Sequence, residues 1–92
     1  MLYCKEVGIE AVYYIQSLGY KNAKLIGSLA TVGFSNHDID ILIPLWKIAE
    51  RKKCAQVLAH DYLLNPEHYY ALRYEQVYLE GTCFGDINIF FY

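Results

Sequence analysis

Between Asp38 and Pro44 the chain reads acid, isoleucine, acid, isoleucine, leucine, isoleucine, and no other run constrains its fold as strongly. Successive side chains on a β-strand point to opposite faces, so Ile39, Ile41 and Ile43 share one face while Asp38 and Asp40 share the other. Pro44 cannot donate to a sheet ladder and ends the run. A wholly isoleucine face must be covered, which places this strand inside a layered domain. Its other face carries like charges ~7 Å apart, twice the rise per residue. Taken alone, this pair reads most plainly as a solvent-facing edge that tolerates two carboxylates. The stretch Phe84 to Tyr92 repeats the pattern, with Ile87, Ile89 and Phe91 on one face and Asp86 and Asn88 on the other. If these strands are neighbours, Asp38, Asp40 and Asp86 converge. Such a cluster is costly unless a cation reverses the local field.

The rest of the chain supplies the covering layer. Val7, Ala11, Tyr14, Ile15 and Leu18 form a helical stripe within residues 3–18, and Gly19 stands where a left-handed cap is expected. Tyr20 to Ala23 is a turn, Lys24-Leu25-Ile26 a short strand, and Ser28 to Val32 a helical turn and a half that Gly33 breaks. Ser35 and Asn36 make the next turn. Leu45 to His60 reads as a helix with Ile48, Ala49, Ala55, Leu58 and Ala59 on its apolar side. Its Glu50, Arg51, Lys52, Lys53 and Gln56 face water, and the basic trio is read as a solvated face. Asn65 to Glu67 is a loop, Tyr70 to Leu79 one longer strand, and Glu80-Gly81-Thr82 a hairpin turn. The expectation is a two-layer α/β (α+β) domain, a mixed four-stranded sheet with helices on one face.

A chain of 92 residues is one domain by length. With 55% hydrophobic residues it has enough apolar side chains for a real core. A net charge of −2 argues against a surface that holds a duplex by its phosphates. No apolar run approaches the ~20 residues of a membrane span, and Met1 to Glu6 lacks the layout of a signal peptide, so a cytoplasmic location is expected. Cys4, Cys54 and Cys83 are odd in number and irregular in spacing, and read as reduced, buried small hydrophobes. Only six residues follow Asp86, so a second domain to grip base or acceptor is not expected.

Three aspartates suit Mg²⁺, which is commonly held by one or two carboxylates and the phosphates of a substrate. Two ions ~3.5–4 Å apart would clamp the attacking and leaving oxygens of a displacement at phosphorus. Upstream, Gly27-Ser28 lies between a short strand and a short helix, where glycine permits close backbone approach and exposed N–H groups attract anions. His37 is read as an exposed loop histidine, and Tyr69, Tyr70, Tyr74 and Tyr78 as sheet packing or interface surface rather than base-stacking groups.

Gly27-Ser28, nine intervening residues and then Asp38-Ile39-Asp40-Ile41 together resemble the signature of the DNA polymerase beta superfamily of nucleotidyltransferases, in its minimal single-domain form. The likeness covers residues 24–44, and Gly85-Asp86-Ile87-Asn88-Ile89 resembles the later strand bearing the third carboxylate. It implies that Gly27 and Ser28 hold the triphosphate of an NTP such as ATP. It implies that Asp38, Asp40 and Asp86 are catalytic metal ligands for Mg²⁺, with Mn²⁺ as a substitute, Asp86 also helping to activate an acceptor hydroxyl. Stand-alone members of this family act beside small helical HEPN-type proteins as antitoxins, so the resemblance also implies a partner protein or a second copy of the chain. The competing expectations are a catalytically inactive relative that binds nucleotide or a partner, and a structural module without a ligand.

Overall fold

A computed structural model of the protein describes residues 2–35 and 37–92. In chain order its elements are β1 (Tyr3–Cys4), α1 (Lys5–Ser17), β2 (Lys24–Ile26), α2 (Gly27–Thr31), β3 (Phe34–Ser35), β4 (Ile39–Ile43), α3 (Ile48–His60), β5 (His68–Leu72), β6 (Gln76–Thr82) and β7 (Gly85–Phe91). The last seven-residue strand and the acid-isoleucine strand are neighbours: β4 and β7 run parallel, with Ile39 beside Ile87, Ile41 beside Ile89 and Ile43 beside Phe91. The main sheet has the order β2-β4-β7-β6-β5, every other pairing in it being antiparallel, and β1 and β3 form a separate two-stranded ribbon.

The apolar face of the sheet is the core. Ile39, Ile41, Ile43, Val77, Leu79, Ile87, Ile89 and Phe91 share one buried cluster with Ala11, Val12 and Ile15 of α1 and Cys54, Ala55 and Leu58 of α3. Val7, Tyr14 and Leu18 pack on its margin, so the predicted stripe of α1 is the packed one. The Tyr14 hydroxyl donates to the Asp61 carboxylate and ties α1 to the end of α3. Both helices therefore lie over one face, and the opposite face carries Asp40, Asp86, Gln76, Tyr78 and Phe90, all partly exposed.

The architecture departs from the sequence expectation in several places. The sheet has five strands where four were expected, because Tyr70 to Leu79 is not one strand but parts of a hairpin. Glu75 N–H donates to the Leu72 carbonyl at 3.1 Å, and Arg73 and Tyr74 both sit at φ +53°, the paired positive φ of a type I′ turn. Neither residue is the asparagine or glycine that advertises such a turn, so the run looks continuous in sequence. The turn expected at Glu80-Gly81-Thr82 falls later, at Cys83-Phe84, and Gly81 instead makes an irregularity within β6 at φ +74°.

Helix α3 begins at Ile48 rather than Leu45, with Lys47 at its start and no side-chain cap. Arg51 reaches back instead, its Nε donating to the Leu45 carbonyl at 2.6 Å and an NH group to the Tyr74 carbonyl at 3.4 Å. Its guanidinium lies 5.9 Å from the Phe91 ring, so Arg51 is a half-buried clamp and not part of a solvated face. Ile48 and Ala49, expected on the apolar side, are exposed, and Cys54 takes their place. All three cysteines are free, but Cys4 and Cys83 are exposed and only Cys54 is buried. The turn expected at Ser35 and Asn36 falls partly on Asn36, outside the described residues, and Ser35 belongs to β3. Met1 also lies outside them. No helix among the described residues is long and apolar enough to cross a membrane.

Candidate functional site

On β4 and β7 the isoleucines point into the core, so the residues between them must point to the open face. Asp40 and Asn88 stand side by side in the parallel register. Asp38 and Asp86 each precede the Ile39 and Ile87 pair by one residue, which carries them to the same open face at the amino ends of adjacent strands. Across the sheet the row continues from Asn88 to Tyr78 on β6 and Tyr70 on β5.

The two carboxylates of the β4 motif come together. Burial pushes the Asp40 carboxyl up to about 6, and the charge and hydrogen bonding of Asp38 add to it, while hydrogen bonding from Asn88 works the other way. The other side of Asp40 is closed by Gly27, where α2 begins. At Gly27 the backbone has φ +70°, and a Cβ there would meet Asp40 Oδ2 at 2.5 Å. Glycine is thus required twice over, by conformation and by contact. Ser28 is exposed on the first turn of α2, and its carbonyl accepts the N–H groups of Val32 and Gly33 that close this short helix.

Asp86 is placed differently. Its Oδ1 accepts the Gly81 N–H at 2.9 Å, and its backbone N–H donates to the Tyr3 hydroxyl at 2.9 Å. The irregularity at Gly81 turns that amide toward β7 and engages the carboxylate. The Tyr78 hydroxyl is pushed upward by burial and then by the charges of Asp86 and Asp38. The acidic groups therefore share one side of the sheet, although among the described residues no three His, Cys, Asp or Glu side chains form a group that could hold a metal. The structure brings Asp38, Asp40 and Gly27 together, and leaves Asp86 alongside with a hydrogen bond of its own.

The donor set at Asp38 and Asp40 fits a hard divalent cation. Two carboxylates held close despite their repulsion, one of them partly desolvated, gain from a positive charge between them, and Mg²⁺ asks for one or two such ligands when phosphates supply others.

Asn88 and Gln76 are not site residues in the sequence reading, and Tyr78 enters it as sheet packing or interface surface. Gln76 Nε2 donates to Asn88 Oδ1 at 2.8 Å, which orients the amide that faces Asp40. The signal for Asn88 was available, since it occupies the same place in Asp86-Ile87-Asn88-Ile89 as Asp40 does in Asp38-Ile39-Asp40-Ile41. Gln76 carries none, because its proximity follows from the hairpin. His37 is exposed, its backbone N–H donating to Ser35 Oγ at 3.3 Å. A cavity of about 510 Å³ lined by Trp46, Arg51, Glu75, Phe91 and Tyr92 lies at the other end of β4 and β7, away from the carboxylates. A smaller hollow of about 400 Å³, lined by Tyr70, Leu72, Gln76 and Tyr78, continues the open face toward β5.

Comparison with protein-family models, curated proteins and solved structures finds no match to this chain.

Proposed function

We propose that the protein is a metal-dependent nucleotidyltransferase that moves a nucleoside monophosphate from an NTP to a hydroxyl acceptor and releases pyrophosphate. The observation that supports this reading is the closure of the Asp38 and Asp40 pair against Gly27, at the junction of β2 and α2 and on the face of the sheet opposite α1 and α3. Asp38 and Asp40 would hold Mg²⁺, or Mn²⁺ in its place, and the bound cation would supply charge neutralisation for the triphosphate. The backbone at Gly27 and Ser28 would lie beside the phosphates, where the missing Cβ leaves room for close approach. Asn88 steadies Asp40 through hydrogen bonding. Positioning of this kind supplies most of the rate in phosphoryl transfer. Asp86, two residues before Asn88 on β7, would orient the acceptor hydroxyl and add to the metal ligands on release from Gly81. The acceptor is proposed to be carried by a partner, a HEPN-like helical protein or a second copy of the chain.

One observation favours a second reading, a catalytically inactive relative that binds nucleotide or a partner. The Asp86 carboxylate already accepts a backbone N–H, which leaves two assembled carboxylates where three were expected. Incubation with labelled NTPs, Mg²⁺ or Mn²⁺ and candidate partner proteins separates the two. Label transfer abolished by Asp40→Asn is the result expected of the enzyme. Metal-dependent NTP binding without transfer would identify the silent binder, and absence of both would remove the nucleotide from the account.

A further inference from the structure

The main sheet has two unlike edges. At one, β2 is three residues long, opens on Lys24 and turns at once into α2. A short strand with a charge is the ordinary protection of an edge. At the other, β5 runs for five residues, His68-Tyr69-Tyr70-Ala71-Leu72, with no lysine, proline or acid among them. Four of the five are exposed, Tyr70 by 55% and Leu72 by 68%. An edge strand offers a row of backbone N–H and C=O groups, and a flat, uncharged one is a template for another strand.

We propose that β5 pairs antiparallel with β5 of a second copy of this chain, joining two sheets about a two-fold axis at Tyr70. The sequence of the strand is complementary to itself in that register. Tyr70 faces the partner's Tyr70, an aromatic pair on the axis. Tyr69 faces the partner's Ala71, large against small, and His68 faces the partner's Leu72. The aromatic pair on the axis is of a kind that stabilises a sheet, and no pair in this register opposes like charges. Glu67 precedes the strand and Arg73 follows it, so an antiparallel pair sets the acidic end of one β5 beside the basic end of the other. Such an isologous contact closes on itself and leaves no β5 edge free for further growth. The hollow lined by Tyr70, Leu72, Gln76 and Tyr78 reaches this edge, and pairing merges the two hollows into one apolar trough. The proposal stands on the sheet edge and is independent of the reading of the carboxylates.

Sedimentation equilibrium of the wild-type chain tests it, with Tyr70→Lys and Tyr70→Glu measured separately and then mixed. At about 100 μM, a concentration that populates even a modest interface, the wild type should show twice the chain mass of 10.7 kDa. Each variant should be monomeric, because like charges meet on the axis, and the equimolar mixture should recover the dimer. Tyr70 is exposed, so both variants should keep the fold. In the wild type, amide exchange within β5 should also slow as protein concentration rises. A monomeric wild type, variants that remain dimeric, or a mixture that fails to associate would each overturn the proposal.

Discussion

Gly27 and Gly33 both hold positive φ, at +70° and +95°, but differ in what surrounds them. Nothing lies within 4 Å of a Cβ built on Gly33, whereas one on Gly27 strikes the Asp40 carboxylate. Gly33→Ala should therefore cost about 1 kcal/mol, the conformational penalty alone. Gly27→Ala should cost roughly 3 kcal/mol, since backbone strain and a forced displacement add. Urea unfolding of the two variants compares them directly, and equal losses would mean that the contact with Asp40 is not tight. The Asp40 carboxyl gives a second residue-level expectation. Its folded-state value, about 6, lies above the ordinary carboxylate range that it regains on unfolding, so between these limits the native state binds the extra proton. The group then contributes stability at low pH that is lost as pH rises through about 6. The difference in melting temperature between wild type and Asp40→Asn should move against the wild type from pH 4 to pH 7 in the absence of divalent cations. A difference that stays flat across that window would show that Asp40 is not perturbed.

Among the elements, the β5–β6 hairpin shows why local pattern misleads. Tyr70 to Leu79 contains no turn dipeptide, yet Arg73 and Tyr74 are bent to positive φ by the pairing on either side. Tyr74 is partly buried against the core and lies under Lys52, whose Nζ is 5.5 Å from its ring, so packing offsets the strain there. Arg73 is exposed and has no such compensation. Arg73→Asn should stabilise the protein by several tenths of a kcal/mol up to about 1, since asparagine accepts the left-handed conformation more readily. A chemical denaturation midpoint that falls would mean that Arg73 makes a stabilising contact in the folded chain. The helix α3 carries a related lesson. Its start was expected directly after Pro44, but it begins at Ile48 without a side-chain cap, and Arg51, a residue that a helical-wheel reading sends to water, donates back to the Leu45 carbonyl of the loop.

For the molecule as a whole, the parallel contact of β4 with β7 brings both acidic ends to one side of the sheet. On the proposed function, Mg²⁺ binds the folded state and not the unfolded chain, so it should raise the melting temperature in proportion to the logarithm of its concentration above the dissociation constant. Replacing Asp38 and Asp40 together by asparagine should remove that response. It should also leave the metal-free protein as stable or more so, because the repulsion is gone. Calorimetry of both proteins across a magnesium series is the check. If the wild type shows no response, the pair holds no cation, and the carboxylates are tolerated surface groups.

The elements that depend on local periodicity were legible in the residues themselves: the stripe of α1, the short strand before Gly27, and the alternation that buries Ile39, Ile41 and Ile43 and turns Asp40 to the other face. The alternation of β7 was legible in the same way, and with it the face on which Asp86 lies. Which strands become neighbours was not, because pairing between residues about fifty apart leaves no trace in a window of ten. The same limit hid the Gly81 amide that engages Asp86, the orienting bond from Gln76 to Asn88, and the uncovered edge at β5. Side-chain direction follows from the period of the backbone, which each segment carries within itself. Contacts and hydrogen-bond partners follow from the packing of segments against one another, and only the assembled sheet specifies those.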